Sequence, residues 1–181
     1  VDFLVKLGVR DSKKLTDADM LKIGPQLMDR IPHSLLIVTP QKYNQVHEEN
    51  NLNAIKAKLH NQAYINLAKK IELASFKIVD QFTPETSYYR YLKNDTRIIR
   101  GIHFETKAED KYLSVAVGSI MSRYGFLKTW EEMEQKYNMT FPKGSGDKVD
   151  VVAQEFVERY GFDRLGEVAK LHFKNTEKIR V

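Results

Sequence analysis

The sequence predicts an α/β layered domain, and three observations carry that prediction. Short β-rich apolar runs at 34–39 (SLLIVT), 76–82 (FKIVDQF) and 97–105 (RIIRGIHFE) alternate with longer stretches whose apolar residues recur every three or four positions. At 181 residues the chain has the size of one domain. Its 42% hydrophobic and 29% charged content is that of a packed chain rather than a disordered one. Three strands are few for so many helices, so a sheet lacking its first strands is the expectation. The chain opens on Val1 rather than Met, which reads as the interior of a longer product whose missing strands lie upstream.

Each element has its own signal. Residues 1–9 are mostly apolar and end at Gly8-Val9, the tail of some element, and Asp11-Ser12-Lys13-Lys14-Leu15-Thr16 follows as a polar, basic loop. Thr16-Asp17-Ala18-Asp19 resembles a capping box with Asp in place of Glu, so a helix starts at about 17. Gly24-Pro25 is expected to kink or split it before Arg30. The run at 34–39, bounded by Pro32 and Pro40, predicts a strand. Leu52, Ile55, Leu59, Ala63, Leu67 and Ile71 share one helical face, which predicts a helix over about 51–73.

The second strand, 76–82, stops at Thr83-Pro84-Glu85, where Thr83 reads as N-cap and Pro84 as the first residue of a further helix. The third strand, 97–105, leads into a long helix from near Thr106, with Tyr112, Leu113, Ala116, Val117, Ile120 and Met121 on one face and a possible break at Gly125. Residues 141–148 (FPKGSGDK) read as a loop. Val149, Val152, Phe156, Val157 and Tyr160 predict a helix at about 149–160, followed by a shorter one after Asp163 and a tail of about six residues. No repeat or low-complexity linker divides the chain, so 1–181 is read as one partial domain.

Composition excludes several classes. There is no cysteine, which rules out disulfides, thiolate metal sites and cysteine nucleophiles and fits a reducing compartment. No basic-then-apolar leader opens the chain and no apolar run approaches a membrane span, so the cytoplasm is the expected location and no membrane partner is expected. Lys and Arg outnumber Asp and Glu by 29 to 24, an excess that permits a polyanionic partner without demanding one. The five histidines form no His-Glu-x-x-His pattern, and neither a Gly-x-Ser-x-Gly elbow nor a Gly-x-Gly-x-x-Gly turn is present.

Two carboxylates stand out. By the period of two, Asp80 shares a strand face with Phe76, Ile78 and Phe82. A carboxylate there is costly unless paired or bound to a cation, and it lies near a strand end, where α/β folds place ligands. Capping the next helix or meeting a lysine would satisfy it equally. Glu109 follows the third strand in the first turn of the long helix, where acids are also common because they suit the helix dipole. Together the two could hold a hard divalent cation, although a two-metal site needs three or four carboxylates. Lys13 and Lys14 could meet phosphates or belong to a solvated loop. Lys143-Gly144-Ser145-Gly146 could be a phosphate nest or an ordinary turn. His60 beside Leu59 could simply flank a packed face.

As a set, several stretches resemble the type 2 ribonucleases H. They are Leu7-Gly8-Val9-Arg10-Asp11-Ser12-Lys13-Lys14-Leu15-Thr16, Asn53-Ala54-Ile55-Lys56-Ala57 with Leu59-His60-Asn61, Val79-Asp80-Gln81-Phe82, Glu105-Thr106-Lys107-Ala108-Glu109 and Ser119-Ile120-Met121-Ser122-Arg123. Glu rather than Asp at 109, and Pro142-Lys143-Gly144-Ser145-Gly146 followed by Asp150, resemble the ribonuclease HIII group within that family. The resemblance implies a ribonuclease H-like mixed central sheet flanked by helices, and endonucleolytic hydrolysis of the RNA strand of RNA–DNA hybrids with Mg²⁺ or Mn²⁺. It assigns Asp80 and Glu109 as the third and fourth of four catalytic, metal-binding acids. It implies substrate contacts at Lys13, Lys14, Asn61, Lys143 and Ser145. The first two acids, an Asp-Glu pair in a Gly-rich strand motif, are expected upstream of Val1 together with the family's N-terminal substrate-binding domain. The quoted chain alone is therefore expected to be inactive, and a monomer. The competing expectation is a non-catalytic nucleic-acid-binding module.

Overall fold

A computed structural model describes residues 2–179. Val1, Arg180, Val181 and the side chains of residues 10–12, among them Asp11 and Ser12 of the basic motif, lie outside the described set, as does the end of the expected tail. In chain order the described elements are α1 (Asp2–Lys6), α2 (Asp17–Arg30), α3 (Pro40–His47), α4 (Leu52–Ala68), β1 (Lys77–Asp80), α5 (Glu85–Tyr91), β2 (Ile102–Glu105), α6 (Leu113–Tyr137) and α7 (Asp147–Tyr160). Four 3₁₀ segments, Val9–Lys14, Ala108–Asp110, Phe162–Glu167 and Lys174–Lys178, join them. The chain forms two compact units, one of Val1–Ile37 with Leu52–Lys128 and one of Val38–Asn51 with Thr129–Val181.

In the first unit α2 begins on the expected capping box. The Thr16 hydroxyl accepts the Asp19 N–H at 3.2 Å and the Asp19 carboxylate accepts the Thr16 N–H at 2.9 Å. Met20, Ile23, Gly24 and Leu27 form its buried face and pack with Ala116, Val117, Ile120 and Met121 of α6. The helix runs unbroken through Gly24-Pro25, contrary to expectation. Gly24 is a seat for Tyr124, since a Cβ at 24 would lie 2.3 Å from the Tyr124 ring. That close packing outweighs the hydrogen bond Pro25 cannot make. Nor does α6 break at Gly125, where an added Cβ would meet Leu35 at 2.8 Å. Residues 34–39 form no strand: Leu35 packs against Gly125 while Ile37 is exposed. Thr39 and Pro40 then open α3 as N-cap and first residue.

β1 and β2 pair in parallel, with Lys77 opposite Ile102 and Asp80 opposite Glu105. Both strands are shorter than expected. Residues 97–101 are held off the ladder by Asn61 and by Gly101 in the left-handed region (φ +67°). Val79 and Ile102 are buried with Ala57, Tyr88 and Leu92, backed by Tyr64, Phe82, Tyr89 and Phe104. Asp80 therefore lies on the other face with Phe76, and both are exposed. The costly apolar setting expected for Asp80 is absent because its neighbour Val79 takes the inward position.

α4 ends at Ala68, short of 73, and turns a different face inward: Ala54, Ile55, Ala57 and Asn61 are buried, whereas Leu52 and Ile71 are exposed. Small residues bring this helix close to α5. Pro84, in an extended conformation, is the N-cap of α5, and Thr83 is buried one residue outside. The long helix starts at Leu113, not near Thr106, because Lys107 is left-handed (φ 55°) and turns the chain first into the 3₁₀ segment Ala108–Asp110.

The second unit is built on Tyr137, Met139, Phe156, Val157, Leu165 and Ile179. Asn44 of α3 donates to Gly166 O and Ala169 O at 3.1 and 2.9 Å and accepts the Leu171 N–H at 2.9 Å. The stretch after Asp163 belongs to the 3₁₀ segment Phe162–Glu167. Within the described residues the expected tail and its approach are tied down: Lys178 pairs with Asp150 at 2.6 Å, and Asn175 just ahead of it donates to Ser145 O at 3.1 Å.

Candidate metal and nucleic-acid site

Two parallel strands end on the same side of their sheet, so the last residues of β1 and β2, Asp80 and Glu105, stand in register there. Beyond Glu105 the left-handed Lys107 folds the chain back. The Ala108 N–H then donates to Asp80 Oδ1 at 2.9 Å, and Ala108 itself is fully buried. Asp80 thus caps the turn that carries the next residue, Glu109. This is a cap, as one reading of the sequence allowed, but on the turn after β2 rather than on the helix after β1. Glu109 sits in this 3₁₀ turn and not in the first turn of the long helix.

Lys13 completes the group. Its ammonium is 2.7 and 2.8 Å from the two oxygens of Asp110 and 3.4 Å from Glu109 Oε1. Asp110 first, and Glu109 with it, hold the ammonium above its ordinary range. Half-buried His60 lies edge-on to Phe82 at 5.2 Å, and Lys56 sits 4.9 Å over the same ring. Burial, with help from Lys56, pushes His60 down, while Asp80 pulls it up.

Of the expected site residues, Asp80, Glu109 and Lys13 are therefore brought together at one end of the parallel pair. Lys14 is exposed at the end of the 3₁₀ segment that carries Lys13. Lys143 and Ser145 are exposed in the loop ahead of α7 and belong to the second unit. Asn61 is a correction. It is 1% exposed, donates to Arg97 O at 2.8 Å and accepts the Ile99 N–H at 2.9 Å. Its amide is spent on the backbone leading into β2, so it positions that segment instead of presenting a surface to substrate.

Glu105 was not foreseen. It is bonded to Lys111, to His103 at 3.0 Å and to the Tyr112 hydroxyl at 3.0 Å, in that order of influence, and its carboxyl is held at about 2. The signal was present: His103 and Glu105 alternate on the strand face that register shares with Asp80. Asp80, bonded to a backbone N–H, and Glu109, partly exposed, carry oxygen donors of the kind that hard divalent cations such as Mg²⁺ or Mn²⁺ take. Among the described residues no group of three or more His, Cys, Asp or Glu is gathered to hold a metal.

The family model described as ribonuclease HII matches residues 1–176, and the chain belongs to that family. Its similarity is to ribonuclease HIII in particular. It is 41% identical to ribonuclease HIII of Bacillus mycoides (strain KBAB4), covering 98% of this chain and 58% of that protein. It is 42% identical to ribonuclease HIII of Staphylococcus aureus (strain Newman), covering 99% and 59%. The crystal structure of Bst-RNase HIII in complex with Mn²⁺ matches with a TM-score of 0.94 at 36% identity, over 98% of this chain and 59% of that one. The fold is thus ribonuclease H-like, as expected. The chain spans about three-fifths of the length of the curated relatives it matches. No helix among the described residues is long and apolar enough to cross a membrane.

Proposed function

We propose that the whole protein is an endonuclease that hydrolyses the RNA strand of RNA–DNA hybrids with Mg²⁺ or Mn²⁺, acting as a monomer in the cytoplasm. One observation carries this reading. Asp80 and Glu109, which the family resemblance matches to its third and fourth acids, are joined at one strand end through the Ala108 N–H, with Lys13 beside them. Residues 1–181 then form part of the catalytic domain, and an Asp-Glu pair supplied elsewhere in the whole protein completes the ligand set.

Asp80 and Glu109 would help hold the divalent metal, whose chemistry there would be to activate water and offset charge on the leaving oxygen. The chain's own residues do the rest. Asp80 is oriented by the Ala108 N–H, so its donor oxygens are fixed before substrate arrives. Glu109 is held on a turn that Asp80 itself braces. Lys13 and Lys14 neutralise backbone phosphates without reading sequence, and Lys143 and Ser145 of the second unit are further phosphate contacts. The test is to map products from an end-labelled RNA strand in a hybrid. Internal cuts leaving 3′-hydroxyl and 5′-phosphate ends are expected, because O3′ is the leaving group. Tight hybrid binding with no cut in either metal would instead make the protein a binding module.

A further inference from the structure

We propose that Lys13 is an exchangeable counter-ion of the Ala108–Asp110 turn: Asp110 anchors it, it screens Glu109, and a divalent cation and a substrate phosphate together draw it away. The inference rests on the reading of Glu109 as a metal ligand. Consecutive residues of a 3₁₀ turn point about 120° apart, yet one ammonium reaches both carboxylates, at 2.7 Å for Asp110 and 3.4 Å for Glu109. The shorter contact goes to the acid that the family match does not use. The turn has its own supports, the left-handed Lys107 and the Ala108 N–H bond to Asp80.

The pairing is open to exchange. The Lys13 side chain is 53% exposed and that of Glu109 29%, and solvated ion pairs of this kind are weak. A divalent cation on Glu109 places charge of the same sign beside the ammonium. The flexible four-carbon stem of lysine lets the ammonium leave for a nearby anion, and a nucleic-acid backbone supplies one. Hybrid binding therefore unscreens Glu109, and metal binding releases Lys13 to the hybrid. By linkage, each raises the affinity of the other by the same factor.

The experiment measures Mn²⁺ affinity of the full-length protein by electron paramagnetic resonance, without nucleic acid and with a 2′-O-methyl RNA–DNA hybrid as a non-cleavable probe. In the wild type the hybrid is expected to tighten Mn²⁺ binding by about two- to fivefold, the scale of an exposed ion pair. Lys13→Gln is expected to tighten Mn²⁺ binding without the hybrid by a similar factor and to reduce the further gain from the hybrid, whereas Lys13→Arg keeps most of the coupling. Asp110→Asn should change Mn²⁺ binding less in Lys13→Gln than in the wild-type background, because Asp110 acts largely through Lys13. Glu109→Gln checks the underlying reading. Unchanged Mn²⁺ binding in that variant removes the ligand and the proposal with it. Weakened binding there, combined with the same hybrid coupling in Lys13→Gln as in the wild type, overturns the counter-ion role alone.

Discussion

Replacing Asn61 with Ala removes the bonds that hold the approach to β2. Two of them are short, 2.8 Å to Arg97 O and 2.9 Å from the Ile99 N–H, and a third, to Asp95 at 3.4 Å, is marginal. Two ordinary hydrogen bonds contribute about 2 kcal/mol net. Arg97 is exposed, so water can take its carbonyl, but Ile99 is half-buried and its N–H is left without its acceptor. The expected loss is about 2–3 kcal/mol. Urea unfolding of the full-length protein, followed by far-UV circular dichroism, measures it. Hydrogen exchange at the Ile99 amide should also accelerate by roughly 30- to 100-fold, since about 1.4 kcal/mol corresponds to a factor of ten. A stability change under about 0.5 kcal/mol, with a raised KM for hybrid, would refute the reasoning and return Asn61 to the role of a substrate contact.

Other outcomes follow from the same geometry. Glu109→Gln should lower hybrid cleavage by more than about 100-fold, whereas Asp110→Asn should stay within about tenfold of wild type, the scale of a partner that acts through another group; parallel kinetics of the two variants decide, and a silent Glu109→Gln with a dead Asp110→Asn reverses the assignment. Glu105 is held at about 2 against an ordinary 4.5, so its contribution to stability is complete above pH 4.5 and is lost as pH falls toward 2. Unfolding of Glu105→Gln should accordingly vary less with pH across that window than wild type, and superimposable profiles would contradict the ion-pair account. The 181-residue chain on its own should cut no hybrid in Mg²⁺ or Mn²⁺; turnover that vanishes on Asp80→Asn would show that two carboxylates suffice.

What could be read from the sequence divides by the range of the interactions responsible. The capping box at Thr16 and Asp19 spans three residues, and it predicted the start of α2 correctly. The alternation of His103 and Glu105 and the strand-end position of Asp80 are local too. Asn61 bonds to residues 36 and 38 positions away, so its use as a clasp has no local signal, and the resemblance alone made it a substrate contact. The run at 34–39 has the composition of a strand, but Leu35 packs against Gly125, a partner no local pattern names. The left-handed turn at Lys107 is unusual for a lysine, and it moved Glu109 from a helix into a separate turn. The pairing of Asp80 with that turn follows from the parallel register and was out of reach of periodicity alone.

Hybrid cleavage by the full-length wild type beside Asp80→Asn, over a range of Mg²⁺ and Mn²⁺ concentrations, tests the central claim most directly. Asparagine keeps an oxygen for the Ala108 N–H, so the turn should survive while the anionic donor is lost. The account predicts that the variant folds, binds the hybrid with nearly wild-type affinity and cuts it more than about 100-fold more slowly at every metal concentration. Cleavage at close to the wild-type rate by Asp80→Asn would contradict it.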